Sequence, residues 1–185
     1  MTRNSVLAGL LALAALAATP ARADQNDSRL PALFDQLRDA ESPREALLLE
    51  SAIWQIWGET DDDDAGLLYR RGMEALTADR PDDAVAYFSD AIKKAPDFAE
   101  AWNKRATVLF MMGDFGRSVA DVEQTLALEP RHFGALSGLG LIYLTLGRDA
   151  LALKAFEAAL KVHPYLPGAR LKAKELREKL GGKPT

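Results

Sequence analysis

The stretch AEAWNKRATVLFMMGDFGRSVADVEQTLALEP, residues 99–130, decides the fold. Ala99, Trp102, Ala106 and Leu109 are apolar or small at helical spacing, and Gly113 supplies a C-terminal stop. From about Phe115 to Leu128 a second helix places Val119, Val122 and Leu126 on one face, and Pro130 prevents its continuation. One such hairpin cannot bury its second face, so it needs neighbours stacked against it.

Working outward, the pattern recurs with a period of 34, marked by Pro96, Pro130 and Pro164. In registers starting at Ala65, Ala99 and Phe133, the fourth places are Leu68, Trp102 and Leu136, and the eighth are Gly72, Ala106 and Gly140. Ala84, Ser118 and Ala152 share the twentieth place, Phe88, Val122 and Phe156 the twenty-fourth, and Ala91, Thr125 and Ala159 the twenty-seventh. The three breaks between helices use different residues for one geometry: Asp79-Arg80-Pro81, Gly113, and Gly147-Arg148-Asp149. The small eighth residues let paired helices approach, with Gly72 expected to face Ala84, Ala106 to face Ser118 and Gly140 to face Ala152. At the seventh place Arg105 is expected to pair with Asp121 between the helices, and Arg71 to lie against Tyr87.

These columns resemble the tetratricopeptide repeat family, and the third unit matches its pattern most fully at Leu139, Gly140, Tyr143, Ala152, Phe156, Ala159 and Pro164. The resemblance covers residues 65–166 as three repeats, 65–98, 99–132 and 133–166, and implies an all-α, right-handed superhelical stack of helix-turn-helix hairpins. It also implies that a partner lies along the concave face of the first helices. The lining expected there is Tyr69 and Met73, then Glu100, Asn103, Thr107, Phe110 and Met111, then Ser137, Leu141 and Leu144. Some family members hold a C-terminal carboxylate with Lys, Asn and Arg at particular groove places; Tyr69 and Met73 do not reproduce that clamp. A helix or extended segment with apolar anchors fits better, with Asn103 able to bond backbone amides.

Residues 28–58 read as a further hairpin broken at Ser42 and Pro43. Together with the acidic run Asp61 to Asp64 they form a 24–64 segment, expected as a divergent first hairpin capping the stack. Its tryptophans, Trp54 and Trp57, suit core packing more than a ligand grip. The four aspartates suit a helix N-terminus; their spacing lacks the alternation of a calcium loop. Residues 167–185 read as a basic amphipathic capping helix and tail.

Residues 1–23 carry Arg3, an apolar run from Val6 to Ala18 and the small-residue pattern of Ala21 and Ala23. The run is too short for a hydrocarbon core of about 30 Å, so the reading is a secretory leader cleaved after Ala23 rather than a retained anchor. With no cysteine in the 185 residues, this fits export to a bacterial periplasm without oxidative folding. Cleavage leaves 21 basic and 27 acidic residues, which disfavours nucleic acid as a partner. Charge is uneven: net −9 over residues 24–64 and net +4 over 167–185.

His132 and His163 sit at inter-repeat turns without metal-ligand spacing, and no phosphate loop or nucleophile elbow is present. Neither catalysis nor a cofactor is expected. The leading expectation is a non-catalytic periplasmic adaptor for a protein or peptide partner. The other is a self-associating scaffold of the cell envelope, drawn together by the oppositely charged ends.

Overall fold

A computed structural model describes residues 24–181. The leader at 1–23 and its cleavage after Ala23 lie outside these residues, as do residues 182–185. The described chain runs α1 (Leu30–Asp39), α2 (Pro43–Trp57), α3 (Asp63–Thr77), α4 (Pro81–Lys94), α5 (Ala99–Met111), α6 (Phe115–Leu128), α7 (Phe133–Thr145), α8 (Asp149–Val162) and α9 (Pro167–Gly181). No helix among them is long and apolar enough to cross a membrane.

The repeats form as the period implies: α3 packs on α4, α5 on α6, α7 on α8, and α9 covers α8. Their turns share one backbone solution. Asp79, Gly113 and Gly147, 34 residues apart, all take positive φ, at 56°, 80° and 68°. The next amide donates back into the preceding helix: Arg80 to the Ala75 carbonyl, Asp114 to Leu109 and Arg148 to Tyr143, at 2.8–2.9 Å. The aspartate run behaves as its position suggests, since Asp62 accepts from the Ala65 amide and Asp63 and Asp64 lie in the first turn of α3.

Inside the hairpins the eighth-place glycines lie nearest to the twenty-fourth-place rings. A Cβ at Gly72 would lie 2.6 Å from the Phe88 ring, and one at Gly140 would lie 2.7 Å from the Phe156 ring. The glycines thus seat the twenty-fourth-place phenylalanines more closely than they seat Ala84 or Ala152. Repeat 2 places Ala106 and Val122 at the crossing, and Ser118 donates its hydroxyl to the Ala106 carbonyl at 2.8 Å. Arg105 and Asp121 do form the expected pair: Nε and Nη2 donate to the two carboxylate oxygens at 2.7 and 2.8 Å, and Nη1 donates to Ser89 Oγ in repeat 1. The guanidinium also lies 4.9 Å from the Trp102 ring. Arg71 is exposed and the contact expected with Tyr87 does not form.

The segment 24–64 requires the main correction. Ser42 caps α2 and Pro43 opens it, so the hairpin exists, but it does not stack on α3 as a preceding repeat. Its apolar face, with Leu30, Phe34, Leu37, Ile53, Ile56 and Trp57, packs on Phe133, Val162, Tyr165 and Leu166. The reason is aromatic complementarity. Trp57 stacks on His132 at 4.0 Å, Trp54 meets Phe133 edge-on at 5.2 Å, and Arg131 lies 4.2 Å from the Phe34 ring. The hairpin therefore crosses to the junction of repeats 2 and 3 and walls one end of the concave surface.

Candidate functional site

Two histidine–carboxylate contacts lie beside the wall, one within the repeats and one joining them to α2. His132 caps α7, its Nδ1 accepting from the Ala135 amide at 3.1 Å. That bond fixes the proton on Nε2, which donates to Glu100 at 2.9 Å. His163 Nε2 meets Glu50 of α2 at 3.0 Å, and the Trp54 indole donates to the other Glu50 oxygen at 3.1 Å. The bond from His163, opposed by burial, leaves the Glu50 carboxyl below its ordinary range. Gln25 ties the segment to the turn between repeats 1 and 2 by donating to the Asp97 carbonyl.

Glu100 is the centre of this junction. It is 2% exposed and also receives Asn103 Nδ2 at 2.8 Å and Lys104 Nζ at 2.9 Å. Burial alone would raise its carboxyl, but the Lys104 ammonium and then the His132 bond outweigh burial and hold it below the usual carboxylate range. The Tyr69 phenol, also buried, is pushed upward by burial and further by the Glu100 charge. Lys104 closes the arrangement by lying 4.9 Å from the Trp54 ring. Tyr69 and Glu100, expected to line an open groove, therefore belong to a buried polar junction between the repeats and the hairpin.

On the concave side a cavity of about 240 Å³ lies between α5 and α7. Ala106, Ser118, Val122 and Ile142 are buried in its lining, and Trp54, the buried Phe133 and Leu166 bound it on the hairpin side. Asn103, Thr107, Phe110, Ser137 and Leu141, all expected from the repeat register, complete it. Met111 stands 63% exposed and Leu141 39% exposed. Met73 instead packs against the core of repeat 1, and Leu144 against the cluster that α9 covers. Trp54, His132 and Lys104 were not in the expected site. The available signals were a glycine at the second place of repeat 3, Gly134, and a histidine just before it.

The walls of the cavity are apolar and neutral, α7 contributes no charged residue, and the nearby carboxylate is paired with Lys104. The basic face of α9 is largely partnered, with Arg177 on Glu157, Lys179 on Asp149 and Lys172 on Glu175.

A tetratricopeptide repeat model matches residues 69–115 and 104–167. A TPR repeat-containing protein of Rhizobium etli is 38% identical over 157 residues, which is 85% of this chain and 77% of that protein. Among solved structures, the first TPR of Spaghetti (RPAP3), bound to the HSP90 peptide SRMEEVD, is similar with a TM-score of 0.63 at 20% identity, covering 66% of this chain and 97% of that one. MamA is similar with a TM-score of 0.60 at 20% identity, covering 80% and 84%. At those identities the two structures speak for the fold. The matched repeats and the Rhizobium relative together establish that the chain belongs to the tetratricopeptide repeat family.

Proposed function

We propose that the protein is a non-catalytic adaptor of the bacterial periplasm that holds a segment of another protein in the concave groove between α5 and α7. The observation that carries this reading is the neutral, apolar cavity among Asn103, Thr107, Phe110, Ser137 and Leu141, with Met111 exposed beside it. Membership of a repeat family, and a fold neighbour solved with a bound peptide, support it. The leader sequence supports export. A self-associating scaffold has less support, because much of the basic charge on α9 is matched within the chain.

The test is capture of partners from a periplasmic extract by the protein and by an Asn103→Ala, Met111→Glu variant. Retained proteins are expected to fall away from the variant; identical capture would discard the groove. Cell fractionation with N-terminal sequencing tests the compartment, with Asp24 as the expected first residue. A cytosolic protein that begins at Met1 would refute it.

A further inference from the structure

We infer that α1 and α2 form a hinged flap that swings off repeats 2 and 3 as one piece while the repeats stay folded, with the Glu50–His163 contact as its catch. The inference goes beyond the adaptor reading and stands or falls on the hairpin's own opening.

The hinge is read from where the hairpin begins and ends. Asp24, before α1, and Thr60 and Asp62, after α2, line one cleft together with Lys94, Ala95 and Asp97. Both ends of the hairpin thus meet beside the turn between repeats 1 and 2. Gln25 fastens the first of them: its Nε2 donates to the Asp97 carbonyl at 2.7 Å, and its Oε1 accepts from the Ala99 amide at 3.4 Å. A segment whose two ends are held at one corner pivots about that corner.

From the corner outward, α2 lays one face over the repeats. Glu50, Trp54 and Trp57 stand at i, i+4 and i+7 and so share that face. Trp57 stacks on His132 at 4.0 Å, and the Trp54 ring would lie 2.6 Å from a Cβ at Gly134. Farthest out, an ionised Glu50 can only accept, so His163 Nε2 donates to it across 3.0 Å. Of the three contacts this one has the greatest leverage on the flap.

The seam beneath the flap is incompletely satisfied. Among the described residues, the buried side-chain polar atoms without a hydrogen-bond partner are the Trp57 indole Nε1 and His163 Nδ1, and both belong to this seam. Between α5 and α6, by contrast, Arg105 is paired with Asp121 and Ser118 with the Ala106 carbonyl. Closing the flap strips water from two atoms that gain nothing in return, so the seam opens before the repeats do. Opening lifts Trp54 from Gly134 and bares Phe133, and the flap thereby sets how much of the concave face is exposed.

Acid acts on the catch. The bond from His163 holds the Glu50 carboxyl below its ordinary range, so ionised Glu50 favours the closed flap, and that contribution fades as pH falls through the lowered value. His163 is the titratable group that faces Glu50 from the repeats, and the Trp54 indole meets it on α2. Nε2 keeps its proton whether or not Nδ1 gains one. The link therefore survives titration of the histidine and breaks when Glu50 itself is protonated.

The experiment is native-state hydrogen exchange of the full chain, followed residue by residue by nuclear magnetic resonance. Off the repeats the hairpin has nothing to bury its apolar face against, so each opening exposes its amides. Amides of α1 and α2 are expected to share one opening constant, about tenfold or more above that of α5 to α8. Glu50→Ala, at a partly exposed position, is expected to raise that constant about tenfold again and to leave α3 to α6 unchanged. On going from about pH 6 to about pH 4 the parent's hairpin should open more often, and the variant's should respond much less. His163→Ala is the second variant; it should match Glu50→Ala, and the two together should add nothing further, since both cut one contact. Hairpin amides that open only with the repeats, or α1 and α2 with unrelated constants, would overturn the flap. Additive effects of the two variants, or faster exchange in every helix alike, would overturn the catch.

Discussion

Repeats 2 and 3 are built on one 34-residue frame and solve the same interior differently. Repeat 3 is apolar throughout: Leu139 and Ala155 occupy the seventh and twenty-third places, and Phe156 sits over Gly140. Repeat 2 puts Arg105 and Asp121 at those two places, Val122 with Ala106 at the crossing, and Glu100 where both neighbouring repeats have a glycine, Gly66 and Gly134. The difference teaches that the frame fixes the backbone while leaving side-chain chemistry free. The repeat that departs from the ring-on-glycine solution is the one beside which a cavity opens.

The largest effect expected from breaking this comparison is in repeat 3. Phe156→Ala should cost about 3–5 kcal/mol in urea denaturation, because it empties a fully packed crossing, whereas Val122→Ala should cost distinctly less. Equal losses would mean that the two crossings are equally packed. Next comes the ion pair. Asp121→Ala should cost about 3 kcal/mol by leaving Arg105 without its buried partner. Arg105→Leu combined with Asp121→Ala, which copies repeat 3, should recover most of that loss; a double variant no better than the single one would contradict the account.

A smaller effect belongs to the small residues. Gly72→Ala should destabilise by about 1–3 kcal/mol, since its Cβ would press on the Phe88 ring, which has no room to retreat. Ala106→Gly in repeat 2 should cost only about 0.5–1 kcal/mol, the intrinsic penalty of glycine in a helix. A Gly72→Ala protein as stable as the parent would show that the ring can move.

The last prediction concerns acid. Glu100 has its folded-state ionisation held below the ordinary 4.5, so it stabilises the fold above that value, and the contribution fades as pH falls through the lower, folded value. Thermal melts of the Glu100→Gln variant should therefore lie below the parent at neutral pH and converge with it in acid. A constant gap across pH would mean that the charge is not what matters.

Much of this architecture was legible in the sequence because its signals are local. The three turns and the Arg105–Asp121 pair each depend on residues within one hairpin, the period repeats that local pattern, and the positive-φ position at Asp79, Gly113 and Gly147 explains how different residues end the helices in one way. The path of the 24–64 hairpin was not legible. Leu30, Phe34, Ile53 and Trp57 announce that a face is buried, but not against what, since they share no register with the repeats. For the same reason Glu100 and Tyr69 read as groove residues. Their burial depends on His132, Lys104 and the crossing hairpin, which no spacing connects. Asn103, Thr107, Phe110, Ser137 and Leu141 line one cavity because the repeat register alone brings them to one face.

Nuclear Overhauser contacts from the Trp54 indole report whether the hairpin crosses to repeat 3 and walls a cavity there. In the isotope-labelled protein the indole should show strong contacts to the α-protons of Gly134 and to the rings of His132 and Phe133. Contacts to α3 in their place would mean a hairpin stacked ahead of repeat 1 and an open groove, and would contradict the account.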